Sequence, residues 1–395
     1  MIPIAAIQST AETLMAKAAI EIPDDYLGGL RACANTEKGD LSSFVIQAML
    51  ENYEAAKEDR RAMCGDTGVP RWYVKYGNEA RVEGGPVAVE AALRRATARA
   101  TNDVPLRPNR VHPLWRTDHN NNCGIGAPEI EYAFHPEGDW IDLITVHKGG
   151  LFGTDYRMLF PGDGIEGIKR FFLDTAIAFG KRGLACQPAI VGIGLGGSKD
   201  ICSVLGKQAA CLRVVGSRNP DPKIAALEDE LKELGNSIGM GAMGFMGSSM
   251  VVAAYIEVGY CHTGGMPMSV HMFCLSSRRA VARIYTDGRA EFRTDPAWFT
   301  DYSGARPSNG TRRTAGRRPS SHNRQMSRYM GLSAFEPGSI VRPNAQQGRL
   351  TWTFSFRPTR KTCRGAHASL RAAASRRVRP RSIAASSIPG RTSRS

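Results

Sequence analysis

The stretch Cys64-Gly65-Asp66-Thr67-Gly68 sets a thiol two residues ahead of a carboxylate, between a charged helix-like segment and an aromatic one rich in strand formers. Four chemistries fit those residue types: an aspartic-protease loop, a redox thiol, a metal ligand, or a tight turn held by an Asp side chain. Protease chemistry needs two carboxylates sharing a proton, from a second Asp-Thr/Ser-Gly or a symmetric dimer. The chain has no second triplet, and "AAKEDRRAM" (55–63) ahead of this one is charged, not a hydrophobic strand. Two more cysteines stand at element junctions: Cys186 before the apolar run "AIVGIGLGG" (189–197), and Cys274 at the end of "SVHMFC" (269–274). Spacings of 122 and 88 residues form no local ligand motif, so each thiol alone reads more readily as an inert small core residue, with a metal site shared by the three as the alternative. Gly192-x-Gly194-x-x-Gly197 follows a strand and precedes a helix, as a dinucleotide fingerprint requires. The ribose-binding acid expected about 20 residues later is missing from "CLRVVGSRNP", which favours glycines that simply let a strand and a helix pack closely.

The elements that must carry these residues follow from periodicity. Ser9-x-x-Glu12 predicts a capping box opening the first helix, and Val45, Ile46, Met49, Leu50 and Tyr53 form one stripe of a helix over 40–61. Residues 72–77 predict a strand and 86–101 a helix; "EIEYAF", a Pro136–Asp139 turn and "WIDLITV" predict an antiparallel hairpin ending at Lys148-Gly149-Gly150. Helices are expected over 165–179, stopping at Gly180 and Gly183, and over about 222–235, with a Gly- and Met-rich stretch at 239–247 and a second hairpin through Asp287-Gly288. The expected fold class is α+β: a single large mixed domain over 1–303 with antiparallel hairpins, helices and Gly-rich loops, with no repeat of solenoid period.

Charge divides the chain. The positive charge is confined to 304–395, where 19 arginines and one lysine face a single acid, Glu336; residues 1–303 hold 32 basic and 36 acidic residues, so the chain as a whole carries +15. That Arg-, Ser-, Pro- and Ala-rich tail is expected to be disordered, either as a solvated extension or as a foreign segment from a shifted reading frame near 304. Nucleic-acid binding by charge alone is its functional alternative, although no aromatic-interleaved motif accompanies the arginines. Nine cysteines with no Cys-x-x-Cys pair argue against a disulfide framework and a zinc ribbon. The first residues lack a basic segment followed by an apolar core, and no run has the length of a membrane span, so a cytoplasmic protein is expected.

Taken as an ordered series, the motifs over residues 8–303 resemble the class I (iron-sulfur) fumarase family, in particular the alpha subunits of two-subunit fumarases and L-tartrate dehydratases. The series runs Cys64-Gly-Asp66-Thr67-Gly68, Leu106-Arg107-Pro-Asn109, Pro128-Glu129-Ile130, Lys148-Gly149-Gly150, Met158-Leu159-x-Pro161, Gly164-Ile-Glu166-Gly167, Cys186-x-Pro188, "VGIGLGG", Leu227-Glu228, Cys261-His262 and Cys274-x-x-x-Arg278. The resemblance implies that Cys64, Cys186 and Cys274 hold a 4Fe-4S cluster whose fourth iron has no protein ligand. It further implies Asp66 and His262 as catalytic residues, and Arg107, Gly149 and Gly150 as substrate contacts. The expected activity is reversible dehydration of a 2-hydroxy dicarboxylate, malate to fumarate first or tartrate to oxaloacetate. The expected partner is a beta subunit in an alpha2beta2 assembly, which supplies the catalytic base, and without it the chain is expected to be inactive. The rivals from other classes are an NAD(P)-dependent oxidoreductase built on Gly192–Gly197 and a nucleic-acid binder led by the tail. Gly65 departs from the family's usual Gln, and Leu151-Phe152-Gly153-Thr154-Asp155 from its usual Gly-Ser-Glu-Asn after the glycines.

Overall fold

The computed structural model describes residues 1–149, 154–182 and 186–299; Gly150 and the tail 304–395, with the expectations placed on them, lie outside the described residues. In chain order the elements are α1 (Ile4–Ile20), α2 (Asp24–Thr36), α3 (Asp40–Glu58), β1 (Val69–Gly77), α4 (Gly85–Asp103), β2 (Glu129–His135), β3 (Ile141–Lys148), β4 (Thr154–Leu159), α5 (Gly164–Arg182), β5 (Ala189–Gly196), α6 (Lys199–Leu212), α7 (Pro222–Ser237), β6 (Val251–Gly259), β7 (Met266–Phe273), β8 (Arg278–Ile284) and β9 (Ala290–Arg293). The strands form two sheets, β2-β1-β3-β8-β9 and β4-β7-β5-β6, each with parallel and antiparallel pairs. The domain is therefore α+β, as expected.

Every residue of β1 and of β3 is buried, a pattern that requires cover on both faces of the sheet. One face, with Trp72, Val74 and Leu143, packs on Ile7, Leu14, Val89 and Leu93 of α1 and α4. The opposite face, with Tyr73, Ile144 and Val146, meets Tyr26 of α2, Ile46 and Tyr53 of α3, and Ala209 of α6 in a layer between the two sheets. The far side of the second sheet, with Val191, Ile193 and Val270, is covered by Phe171 and Phe172 of α5 and Leu231 of α7. Each such buried aromatic contributes about 1.5–3 kcal/mol relative to exposure.

The expected hairpin over 129–148 does not form. β2 and β3 run in opposite directions but are not neighbours, because β1 lies between them, parallel to β2 (Arg71↔Glu129) and antiparallel to β3 (Val69↔Lys148). The Pro136–Asp139 turn instead crosses the end of β1, where Gly77 N–H donates to Trp140 O and Glu79 N–H to Gly138 O, both at 2.9 Å. Alternation marks two strands without saying which pair. The hairpin of β8 and β9 through Asp287-Gly288 forms as expected.

Helix α1 starts at Ile4 behind Pro3, so Ser9 and Glu12 are interior: Ser9 Oγ donates to Ala6 O, and Glu12 receives Arg99 and Gln8. Proline, with its fixed φ, opens that helix earlier than the capping-box pattern does. Helix α5 runs through Gly180 to Arg182. Gly192 and Gly194 of β5 face α6, where an added Cβ would run into the backbone of Gly206, Ala210 and Cys202. The Gly-x-Gly spacing thus serves close strand-to-helix contact.

Candidate active site

Strand order brings the scattered motifs together. β5 and β7 are antiparallel neighbours (Ile190↔Phe273), so Cys186, just before β5, and Cys274, just after β7, emerge at the same end of the second sheet. Leu275 N–H donates to Cys186 O at 2.7 Å and ties the two segments. In the first sheet, the start of β1 lies beside the end of β3, and the end of β3 beside the start of β8 (His147↔Arg278). The chain passes from β7 to β8 through 274–277, so this short connection is where the two sheet ends meet.

Helix side chains pin the same junction. Tyr53 Oη of α3 donates to Leu275 O at 2.7 Å, Tyr26 Oη of α2 donates to Pro188 O at 2.7 Å, and Asn52 Nδ2 holds Met63 O at 2.8 Å, one residue before Cys64. Cys186 keeps contact with solvent but stands among enough protein that loss of surrounding water is the largest reason its thiol is pushed up to about 11. The next causes are Cys274 and Cys64, with Arg278 opposing them and Asp66 adding to them. The three thiols, one carboxylate and one guanidinium therefore share an electrostatic neighbourhood.

Among the described residues, no three His, Cys, Asp or Glu side chains converge tightly enough to hold a single metal ion. A polynuclear cluster makes a different demand, since each cysteine binds a different iron corner and the sulfurs stay apart. The donor set fits that demand: three thiols on three segments, none of the eight described cysteines in a disulfide, and a backbone with no Cβ beside Cys274. That backbone is Gly149, where a Cβ would fall 2.8 Å from Cys274 Sγ and 2.6 Å from Arg278 Nη2.

Asp66 faces solvent beside the thiols. Its Oδ1 accepts from Asn109 Nδ2 at 2.8 Å and from Gly68 N–H at 3.3 Å. Arg107 is anchored by its backbone, its N–H donating to Thr67 Oγ1 at 2.9 Å and its carbonyl accepting from Asn122 Nδ2 at 3.1 Å. Its side chain is exposed and has no partner among the described residues, so it can grip a ligand. Cys64, Cys186, Cys274, Asp66, Arg107 and Gly149 thus gather at one junction.

His262 does not. It lies in the β6–β7 connection, exposed, with Nδ1 accepting from Gly264 N–H at 3.0 Å. The eight residues of β7 separate it from Cys274, roughly 25 Å of strand. The Gly196-Gly197 turn occupies that same far end, bonded to Gly259.

Asn109, Tyr26, Tyr53 and Arg278 hold the site together and were assigned no part by residue type alone. Asn109 and Arg278 had one signal, their presence within motif blocks; Tyr53 had only its place on an apolar stripe, and Tyr26 had none.

The fumarate hydratase (Fumerase) family model matches residues 8–283. The chain belongs to the fumarate hydratase family. As a member it is an enzyme of the hydro-lyase class. A Methanocaldococcus jannaschii protein provisionally named L(+)-tartrate dehydratase subunit alpha is 38% identical over 281 residues, covering 70% of this chain and 96% of the relative. The L(+)-tartrate dehydratase subunit alpha of Escherichia coli K12 is 30% identical over 269 residues, covering 67% of this chain and 86% of the relative. Among the described residues of this hydro-lyase, no helix is long and apolar enough to cross a membrane.

Proposed function

We propose that this chain is the cluster-bearing alpha subunit of a two-subunit hydro-lyase that dehydrates a 2-hydroxy dicarboxylate at a 4Fe-4S cluster held by Cys64, Cys186 and Cys274. The convergence of those thiols with Asp66 and Arg107 at the β7–β8 crossing carries this reading. When bound, the cluster supplies an iron corner without a protein ligand, a Lewis acid that eases departure of hydroxide. Arg107 pairs with a substrate carboxylate, for which the guanidinium fork is suited. Asp66, oriented by Asn109, delivers a proton to the departing oxygen. Gly149 offers its backbone N–H beside Cys274, at a position where a side chain would crowd the thiol.

The names of the relatives make L(+)-tartrate the first substrate to test, ahead of malate. Their designation as alpha subunits supports a beta subunit that brings the catalytic base. His262 lies at the far end of β7, and we assign it to the site of a second alpha chain in an alpha2beta2 assembly. The domain is assigned to residues 1–303 and the basic segment 304–395 is left outside the chemistry. Unpaired thiols and an oxygen-sensitive cofactor suit the cytoplasm.

The test is anaerobic reconstitution of the chain with its beta subunit, measuring iron, sulfide and absorption near about 400 nm, then turnover of malate and both tartrates. A protein that retains neither iron nor sulfide would end the proposal.

A further inference from the structure

Arg278, the first residue of β8, has no part in the chemistry above. It is 1% exposed, and its donors leave in three directions: Nε to His147 O at 3.1 Å, Nη1 to Asp66 O, and Nη2 toward Cys274 Sγ at 4.0 Å. The acceptors are two carbonyls and a sulfur; among the described residues no carboxylate lies within ion-pairing distance of it. Other buried or half-buried arginines are treated differently. Arg279 Nη2 donates to both carboxylate oxygens of Asp25 at 2.9 and 3.0 Å, Arg283 grips Asp142 in a fork at 2.7 and 2.9 Å, and Arg213 pairs with Glu228 and Glu257. A buried guanidinium with no anion is costly, because carbonyl dipoles solvate the charge without neutralising it. Among the described residues, the acidic side chain its donors reach is Cys274, which becomes anionic when it ligates a metal, and its charge also acts on Cys186.

We propose that Arg278 is a positioning residue: the resident counter-charge for the Cys64, Cys186 and Cys274 thiolates, and the tie that sets the Asp66 loop and Gly149 against Cys274. This rests on the cluster reading above. The geometry serves both parts at once. Bonds to His147 O and Asp66 O fix the guanidinium plane between two strand ends, and the remaining N–H is then aimed at Cys274 Sγ. Gly149 is part of the same device, since a Cβ there would displace both Nη2 and the sulfur. Positive charge and an N–H directed at a ligating sulfur favour the reduced, more negative state of a cluster, so they raise its potential.

The experiment compares wild type, Arg278→Met and Arg278→Lys as anaerobically reconstituted complexes. Three quantities are read: iron and sulfide content, midpoint potential by spectroscopic redox titration, and the rate at which visible absorption is lost to a chelator, with circular dichroism confirming the fold. Arg278→Met is expected to shift the potential to more negative values and to speed loss about 10- to 100-fold, as for other outer-shell changes around metal sites. Arg278→Lys keeps the charge but cannot reach three acceptors, so its potential stays near wild type while loss still accelerates. A folded Arg278→Met complex with wild-type potential and retention overturns the proposal; should that variant fail to fold, wild-type retention in Arg278→Lys overturns it instead. A wild-type complex without iron and sulfide removes the cluster reading itself, and this proposal with it.

Discussion

Asn109 Nδ2 donates to Asp66 Oδ1 and to Gly68 O, each at 2.8 Å, while its own backbone N–H is held by Asn122 Oδ1 at 2.8 Å. Both amide hydrogens are thereby committed, and the carboxylate keeps one oxygen directed away from them. Asn109→Ala leaves Asp66 in place but free to rotate, and misplaced catalytic groups lose about 10- to 100-fold in rate. The expected result is a fall in kcat with KM little changed, and a larger fall, about 10²- to 10⁴-fold, in Asp66→Asn. Steady-state kinetics of the reconstituted complex check this; a normal kcat in Asn109→Ala would show that Asp66 needs no orienting partner.

Arg107 holds its backbone in place through Thr67 and Asn122 and leaves its guanidinium unengaged. Arg107→Lys retains charge and loses the two parallel donors that fit a carboxylate. KM is expected to rise about tenfold, the cost of roughly one charge-assisted hydrogen bond, with cluster content unchanged. If iron content drops together with affinity, Arg107 is acting on the fold and not on substrate.

Gly149 and Gly65 make opposite demands. A Cβ at Gly149 meets Arg278 Nη2 and Cys274 Sγ, whereas one at Gly65 meets nothing within 4 Å. Gly149→Ala is expected to cost about 1–3 kcal/mol through overpacking and to lower iron content. Gly65→Ala is expected to be close to neutral in both. Thermal unfolding and iron assays on the two variants separate the cases, and equal behaviour would contradict the placement of Gly149.

His147 is fully buried beside Met15 Sδ, and its ionisation is lowered from the ordinary 6.5 to about 3, first by burial and then by the positive charge of Arg278. Below about pH 6.5 the unfolded chain takes up a proton that the folded chain refuses until about pH 3, so acid favours unfolding. Stability from this group is complete above pH 6.5 and falls by about 1.4 kcal/mol per pH unit below it. Denaturant unfolding at pH 7, 6 and 5 should show a shallower acid slope in His147→Asn than in wild type. Parallel slopes would mean that other groups govern acid sensitivity.

Much of this site can be read from the order of residues, and its failures are instructive. The three thiols, Asp66, Arg107 and Gly149 all lie in motif blocks whose ordered series pointed to the fumarate hydratase family. The glycines of 192–197 resembled a nucleotide loop only while their partner was unknown; with α6 against them they are a packing surface. The pair Glu129–His135 and Ile141–Lys148 was misjoined because alternation is a property of each strand alone, whereas pairing was settled by β1 (Val69–Gly77), far earlier in the chain, inserting between them. Arg278 stood in a motif block without a role, since nothing local shows that its neighbours lack a carboxylate.

Residue order was sufficient for the kinds of chemistry on offer, for the helix and strand periods, and for the separation of a mildly acidic body from a basic tail, because each is a property of neighbouring residues. Which of those groups meet was a matter of three-dimensional packing. The antiparallel pairing of β5 with β7 brings residues 186 and 274 to one edge, and the length of β7 carries His262 away from them. Such proximities depend on contacts between strands far apart in the chain, and no local pattern encodes a distance of that kind.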